Sequence, residues 1–396
     1  MRATNGHVLI VGAGIGGLTL AIALQREGFR VSIFERADEL AEVGAGLTLA
    51  KNANLAYAHL GLNEAITSIA HVPNYGAIKD YKTGEELRRT EPIREPVNNT
   101  AGTKDQIFSV RQVHRADMHN LLVNEVRRVD RHAIHLSHTF TSLEQDSATV
   151  TAHFGNGASS TGDLLVGCDG ILSNVRQTLF GKDEPEFLNF VAWRGLVPTK
   201  SLTEGLVHPD TGMFQGNHKS FVRYKLRQGT LVNYVAFARR EEWTEDGWTV
   251  HAPVDEVMAE FADATEEITN IIENTPPEKC FKWGLLGREP LPEWTVGRAT
   301  LLGDAAHPML PFLGQGAGMA IEDAIILSRV LASSDGPVEG YKRYEAARVE
   351  RAKMVTLGSR HAALRINGVI DEKTAVAATY YDEAEVSAYD PVNVEV

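Results

Sequence analysis

The chain has 396 residues, 43% apolar and 23% charged, which is ordinary for a globular protein and long enough for two or three domain-sized units. A formal net charge of −13, with no basic, aromatic-interleaved face, argues against nucleic acid or an anionic membrane as partner. Cys168 and Cys280 carry no metal-ligand spacing; with residues 1–7 too short and polar for a signal peptide and no apolar run of about 18 residues, a cytoplasmic protein without disulfides is expected.

Val8 to Val11 is a continuous apolar run, the pattern of a parallel strand buried on both faces. Gly12, Gly14 and Gly17 then match G-x-G-x-x-G, with one glycine for the turn, one for backbone approach to a pyrophosphate and one for close helix packing. Leu18, Leu20, Ala21 and Leu24 predict the apolar face of a helix ending near Gly28. A second strand, Val31 to Phe34, ends in Glu35, an acid about 20 residues on, as expected for the partner of a ribose hydroxyl. Its carboxylate would repel a 2′-phosphate. A glycine turn by itself also suits a helix packed on a strand without a ligand; strand, helix, second strand and acid in register point to a dinucleotide.

Residues 42–49 put small side chains, Gly46 among them, where either a plain loop or a surface for a planar group would serve. Asn54 to Leu60 predicts a short helix closed by Gly61, and 75–107 reads as strands and connections outside the core sheet. Arg115 opens a helix carrying Leu121, Leu122 and Val126 on one side; at that entrance it is either solvated or beside the dinucleotide. Val150 to Phe154 alternates as a strand before the Asn156-Gly157 turn. A second buried strand then ends in Asp169-Gly170, followed by Ser173 and Arg176.

Between 184 and 283 the segments Phe190–Leu196, Phe221–Leu226 and Leu231–Phe237 alternate and are rich in aromatics, predicting a mostly antiparallel sheet. A helical piece, 254–273, precedes Pro276-Pro277. A third strand ends in Asp304 and runs through His307 and Pro311 into Gly314, Gly316 and Gly318, which open a helix to Leu331. N–H groups at such a start accept an anion. Glu322-Asp323 reads as acids favouring the helix dipole and His307 as a loop residue, so no metal site is expected. The Lys- and Arg-rich helix 338–364 reads as a solvated face.

Taken in order, GAGIGG with Glu35, GCDG with Ser173 and Arg176, and GDAAHPMLPFLGQGAGMAIEDA resemble the motifs of the single-component flavin-dependent aromatic hydroxylases. The resemblance spans most of the chain outside 184–283 and the tail. It implies an α/β fold: a Rossmann-like FAD-binding domain (1–75, 104–183 and 284–370), an inserted, mostly antiparallel substrate domain (76–103 and 184–283), a C-terminal helix and a tail, 371–396. It further implies that Gly12, Gly14 and Gly17 hold the FAD pyrophosphate, with Glu35 and Arg36 at the adenosine ribose. Gly46 joins this cofactor set, and Arg115 meets FAD from the other side. Asp169 belongs to a motif tied to both FAD and reduced nicotinamide, Asp304 takes the ribityl chain, and Pro311 lies near the ring. Backbone at Gly316, Ala317 and Gly318 faces the flavin N1–O2 edge, where N–H donors stabilise the charge of the reduced ring.

The implied activity is hydroxylation of a small activated aromatic acid, salicylate-, hydroxybenzoate- or hydroxypyridine-carboxylate-like, with NADH or NADPH and O₂, through a C4a-hydroperoxyflavin. A residue near the phenol is expected to accept or relay its proton, and Arg223, Tyr224, Tyr234 and His218 lie in the predicted pocket wall, each either there for the substrate or a structural or surface residue; Arg223 and Tyr224 are the catalytic candidates, Arg223 to pair with a substrate carboxylate. The 3-hydroxybenzoate 6-hydroxylases usually show histidine where this chain has Ser220 and glutamine where it has Pro311; the chain departs at both. Epoxidation or polyketide or isoprenoid oxidation on the same flavin is the second reading, and a non-catalytic flavin-binding redox protein the third. A monomer or homodimer is expected.

Overall fold

The computed structural model describes residues 6–40, 45–90, 94–96, 106–245, 250–370 and 383–396. Buried apolar runs decide the central sheet. β1 (His7–Val11) leads through the glycine turn into α1 (Ile15–Arg26) and β2 (Arg30–Phe34), and Val8, Leu9 and Ile10 are fully buried. The segment from Gly46 is a strand rather than a loop: β3 (Gly46–Ala50) pairs antiparallel with β4 (Val110–His114), which feeds α2 (Arg115–Val129). Residues 41–44 of that segment lie outside the described residues.

β5 (Leu164–Gly167) lies parallel to β1 on the side opposite β2. The strands of the antiparallel region are β6 (Glu186–Pro198), β7 (Thr211–Gln215), β8 (Lys219–Leu226), β9 (Leu231–Arg239) and β10 (Phe281–Gly287). β11 (Ala299–Leu301) then returns to pair parallel with β5, and α3 (Gly316–Ser333) and α4 (Pro337–Ile366) close over the sheet. Strands 295–296 and 134–135 complete the six-stranded sheet, in which the chain leaves β1 first to one side and later to the other.

The antiparallel sheet has eight strands, and it takes up Gly76–Asp80 and Glu86–Thr90 at one end. The predicted 254–273 helix is two, Val254–Glu260 and Glu266–Glu273. Because side chains alternate along a strand, the register divides this sheet into two faces. One carries Trp193, Phe221, Arg223 and Tyr234 against the two short helices; Trp193 Nε1 donates to Glu256 and Arg223 Nε to Glu267. The other carries Ala192, Arg194, Val222, Tyr224, Asn233, Val235 and Phe237 toward β3 and the turn before α3, as the Tyr224–Gly46 packing and the Phe237–Phe312 ring contact show.

Two readings of the last helices are corrected. Glu322 and Asp323 lie beyond the first turn of α3, fully buried, so their counter-charges are arginines rather than the helix dipole. Arg348 and Arg351 of α4 supply them, so that helix is not simply a solvated face. Arg348 is itself fully buried, because one side of α4 lies against α3 and charge at that seam must be paired. Among the described residues, no helix is long and apolar enough to cross a membrane.

Candidate active site

A cavity of about 540 Å³ opens where β1, β2 and β5 end, and it is lined by Gly12 and Gly14, Glu35 and Arg36, Cys168 to Gly170, Arg115 and Asp304. The carboxyl edge of a parallel sheet, where successive strands depart to opposite sides, is where such folds bind ligands. A smaller cavity of about 150 Å³ adjoins it, sharing Gly14, Arg115 and Asp304 and reaching Gly316 and Ala317 at the start of α3.

The three glycines do three different things. Gly12 has φ of 107°, and a Cβ there would fall 2.4 Å from the Cys168 carbonyl oxygen, so the turn admits no side chain. A Cβ on Gly17 would fall 2.2 Å from the Gly12 oxygen, which is helix-on-strand packing. A Cβ on Gly14 would meet nothing within 4 Å; its backbone faces open cavity at the positive end of α1. Glu35 Oε2 accepts from the Ala13 N–H at 2.9 Å and Oε1 from Ala37 N–H at 3.0 Å, which holds the carboxylate at the cavity edge. His119, which the sequence reading passed over, comes up from α2 with Nε2 2.8 Å from the Ala13 carbonyl and fixes the turn from below.

Asp304 is open to the cavity although protein crowds it. Burial raises its carboxyl above the usual carboxylate range, with His307 and Arg115 pulling it down and Asp323 pushing it up. Asp169 is raised by burial too, against hydrogen bonds from Ser173 Oγ at 2.5 Å and the Asn174 and Val175 N–H groups. Ser173 in turn caps the helix that follows, accepting from Arg176 N–H.

Behind Asp304 stands a buried relay. Asp323 Oδ2 accepts from Gly303 N–H at 3.1 Å and lies 2.6 Å from His307 Nε2, while Oδ1 accepts from Arg348 Nε at 2.7 Å. Burial by itself would raise Asp323; the His307 and Arg348 charges override it and hold the carboxyl at about 2. His307, read as a loop residue, is therefore a buried tie between the Asp304 turn and α3.

Of the residues predicted for the cofactor, Gly12, Gly14, Glu35, Arg36, Arg115, Asp169 and Asp304 line the larger cavity, and Gly316 and Ala317 the adjoining one. Gly17 packs beneath the turn, Gly318 lies against Gln315 and Asn52, and Gly46 against the Tyr224 ring. Pro311 is exposed in a short 3₁₀ turn and lines neither cavity. The two catalytic candidates part company, since consecutive strand residues point to opposite faces. Arg223 is fully buried on the far face, bonded to Glu267 and to the Pro209 carbonyl, and a substrate carboxylate cannot reach it there. Tyr224 is on the opposite face, packed against Gly46 and lining neither cavity; burial pushes its phenol up, opposed by a hydrogen bond to Thr48, so it is neutral at physiological pH. Beside it Asn233 Oδ1 accepts from Gly46 N–H at 2.8 Å. Arg194 and Trp283 also line the larger cavity, from the antiparallel sheet; alternation in Phe190–Leu196 gave the period of Arg194 but not its face.

A dinucleotide cleft at parallel strand ends, walled by one face of an antiparallel sheet and met by a glycine-opened helix, defines a flavin-binding oxidoreductase. The chain belongs to the FAD binding domain family, whose sequence pattern matches residues 5–359. The 3-hydroxybenzoate 6-hydroxylase 1 of Aquipseudomonas alcaligenes is 34% identical over 359 residues, covering 91% of this chain and 89% of that protein. The 6-hydroxynicotinate 3-monooxygenase of Bordetella bronchiseptica is 30% identical over 353 residues, covering 88% and 89%. A salicylate hydroxylase solved as a substrate complex superposes with a TM-score of 0.77 at 26% identity, over 97% of this chain and 93% of that one. The protein is thus an FAD-dependent aromatic hydroxylase that uses O₂ and reduced nicotinamide.

Proposed function

We propose that the enzyme hydroxylates a small aromatic acid already activated by a hydroxyl or amino group, salicylate-, hydroxybenzoate- or hydroxypyridine-carboxylate-like. The observation that supports this best is convergence: side chains far apart in sequence, Glu35, Arg115, Asp169 and Asp304, meet at one cleft that is walled by Arg194 and Trp283 of the antiparallel sheet. FAD, when bound, supplies the oxygen-transfer chemistry. Gly12 and Gly14 would hold its pyrophosphate at the start of α1, Glu35 and Arg36 the adenosine ribose, and Asp304 the ribityl chain. Arg115 would flank the cofactor, and Asp169 would serve both FAD and nicotinamide. The N–H groups of Gly316 and Ala317, which line the adjoining cavity, would meet the ring.

Tyr224 is the group proposed to manage the substrate's proton. A neutral phenol with its ring on Gly46 orients a ring hydroxyl by donating to it, and the neighbouring sheet excludes water. The division into an FAD-binding domain (1–75, 104–183, 284–370) and a substrate domain (76–103, 184–283) is part of the same reading, supported by Gly76–Asp80 and Glu86–Thr90 joining the eight-stranded sheet. So are a cytoplasmic location, expected from two cysteines without metal-ligand spacing, and a monomer or homodimer.

The test is to titrate the yellow holoenzyme with salicylate, hydroxybenzoates and hydroxypyridine carboxylates, following NADH and NADPH oxidation and product mass. Substrate-stimulated oxidation coupled to a hydroxylated product is expected. Stimulation only by a non-phenolic substrate that emerges as an epoxide would overturn the reading.

A further inference from the structure

Strand register maps the cavity-side floor of the antiparallel sheet. Across its middle run Met213, Val222, Val235 and Arg194, each the cross-strand partner of the next on β7, β8, β9 and β6. Met213, Val222 and Val235 are only partly buried, although they lie on interior strands of an eight-stranded sheet. They pack at the margin of the cluster around Phe190, Phe237 and Phe312, and inward-facing residues there are ordinarily sealed, so part of this apolar strip is left uncovered. The row ends at Arg194, which lines the main cavity with Trp283 and whose guanidinium sits 5.2 Å from the Trp283 ring centre and 5.7 Å from that of Phe281.

On β6 to β9, among the described residues, the cations otherwise face away or lie outside the cavity. Lys219, Arg223 and Lys225 pair with Glu260, Glu267 and Asp210, and Arg239 lies at the exposed end of β9. Adjacent strands are about 5 Å apart, so a ring resting on Val222 and Val235 has its edge within reach of a guanidinium one strand over. We propose that Arg194 is the specificity-determining cation that receives the carboxylate of the aromatic substrate, the part first expected of Arg223. The inference rests on the aromatic-acid reading above. Stacking on two rings holds the planar fork in place, which suits two parallel N–H bonds to a carboxylate.

The experiment uses the FAD-loaded enzyme and reads binding from the perturbation of flavin absorbance, with no turnover required. Wild type is titrated with paired acids and carboxamides, salicylate against salicylamide and 3-hydroxybenzoate against 3-hydroxybenzamide. The acid is expected to bind about 10- to 100-fold tighter, the range for a hydrogen bond to a charged group. R194Q should lose that preference while binding the amide as wild type does, and R194K, charged but without the fork, should fall between. Equal loss of acid and amide binding, loss of FAD, or a rise confined to the KM for NADH would each overturn the assignment, the last two by giving the guanidinium to a cofactor. A wild type that prefers the amide overturns it without any variant. If wild type takes neither member of either pair, nor any hydroxypyridine carboxylate, the aromatic-acid reading itself fails and this inference with it.

Discussion

Gly12 and Gly14 are two residues apart and chemically identical, yet their replacement by alanine should fail in different ways. Gly12→Ala sets a Cβ against the Cys168 carbonyl in a left-handed backbone and should cost roughly 2–4 kcal/mol of stability. Gly14→Ala meets no atom of the fold, so the apoprotein should melt within about 1 kcal/mol of wild type while FAD affinity falls at least about tenfold. Apoprotein melting and a flavin titration separate the two; a Gly14→Ala that keeps full affinity would remove the pyrophosphate from that turn. For Tyr224→Phe the ring packing on Gly46 stays, so bound flavin should be unchanged while kcat falls roughly 10- to 100-fold. An unchanged kcat would leave Tyr224 a packing residue. The contrast with Arg223 was half legible: alternation along Lys219–Leu226 says that neighbours 223 and 224 point apart, but only packing says which turns toward Gly46 and which toward Glu267.

Between elements, the α3–α4 seam shows what one buried charge does to its neighbours. Asp323→Asn would leave Arg348 with one fewer anionic partner and free the Gly303 turn, a loss of roughly 3–5 kcal/mol. The wild-type carboxyl, at about 2 when folded against about 3.9 unfolded, contributes stability present above pH about 4 and lost as pH falls toward about 2. Urea midpoints measured from pH 5 downward should fall more steeply for wild type than for Asp323→Asn; parallel curves would show that the pair does not govern acid stability. Arg223→Met, which strands Glu267 and Lys79 together on the far face, should lower stability yet leave substrate KM unchanged, and a raised KM would contradict its placement. Glu322-Asp323 looked in the sequence like acids at a helix start because their arginine partners lie in the next helix, beyond any local pattern.

At the scale of the whole molecule the cleft exists only when sheet, antiparallel wall and α3 are together, so FAD should stabilise the fold as a unit. At a hundredfold excess over its Kd the gain is about 2.7 kcal/mol, seen as a single melting transition moving up by several degrees. Two transitions, with only one responding to FAD, would mean that the wall folds apart from the cleft.

The chain itself determined the local devices: buried strands from apolar runs, the glycine turn, the acids ending strands, and alternation through 190–237. Those follow from backbone conformation and side-chain period, which act over a few residues. Which face of the antiparallel sheet walls the cleft, that Arg194 rather than Arg223 reaches the cavity, and that His307 and Asp323 tie the Asp304 turn to α3 were decided by tertiary structure. Burial and charge pairing depend on what packs opposite, and that is set by other elements of the chain, from 16 residues away for His307 and Asp323 to 187 for Gly46 and Asn233.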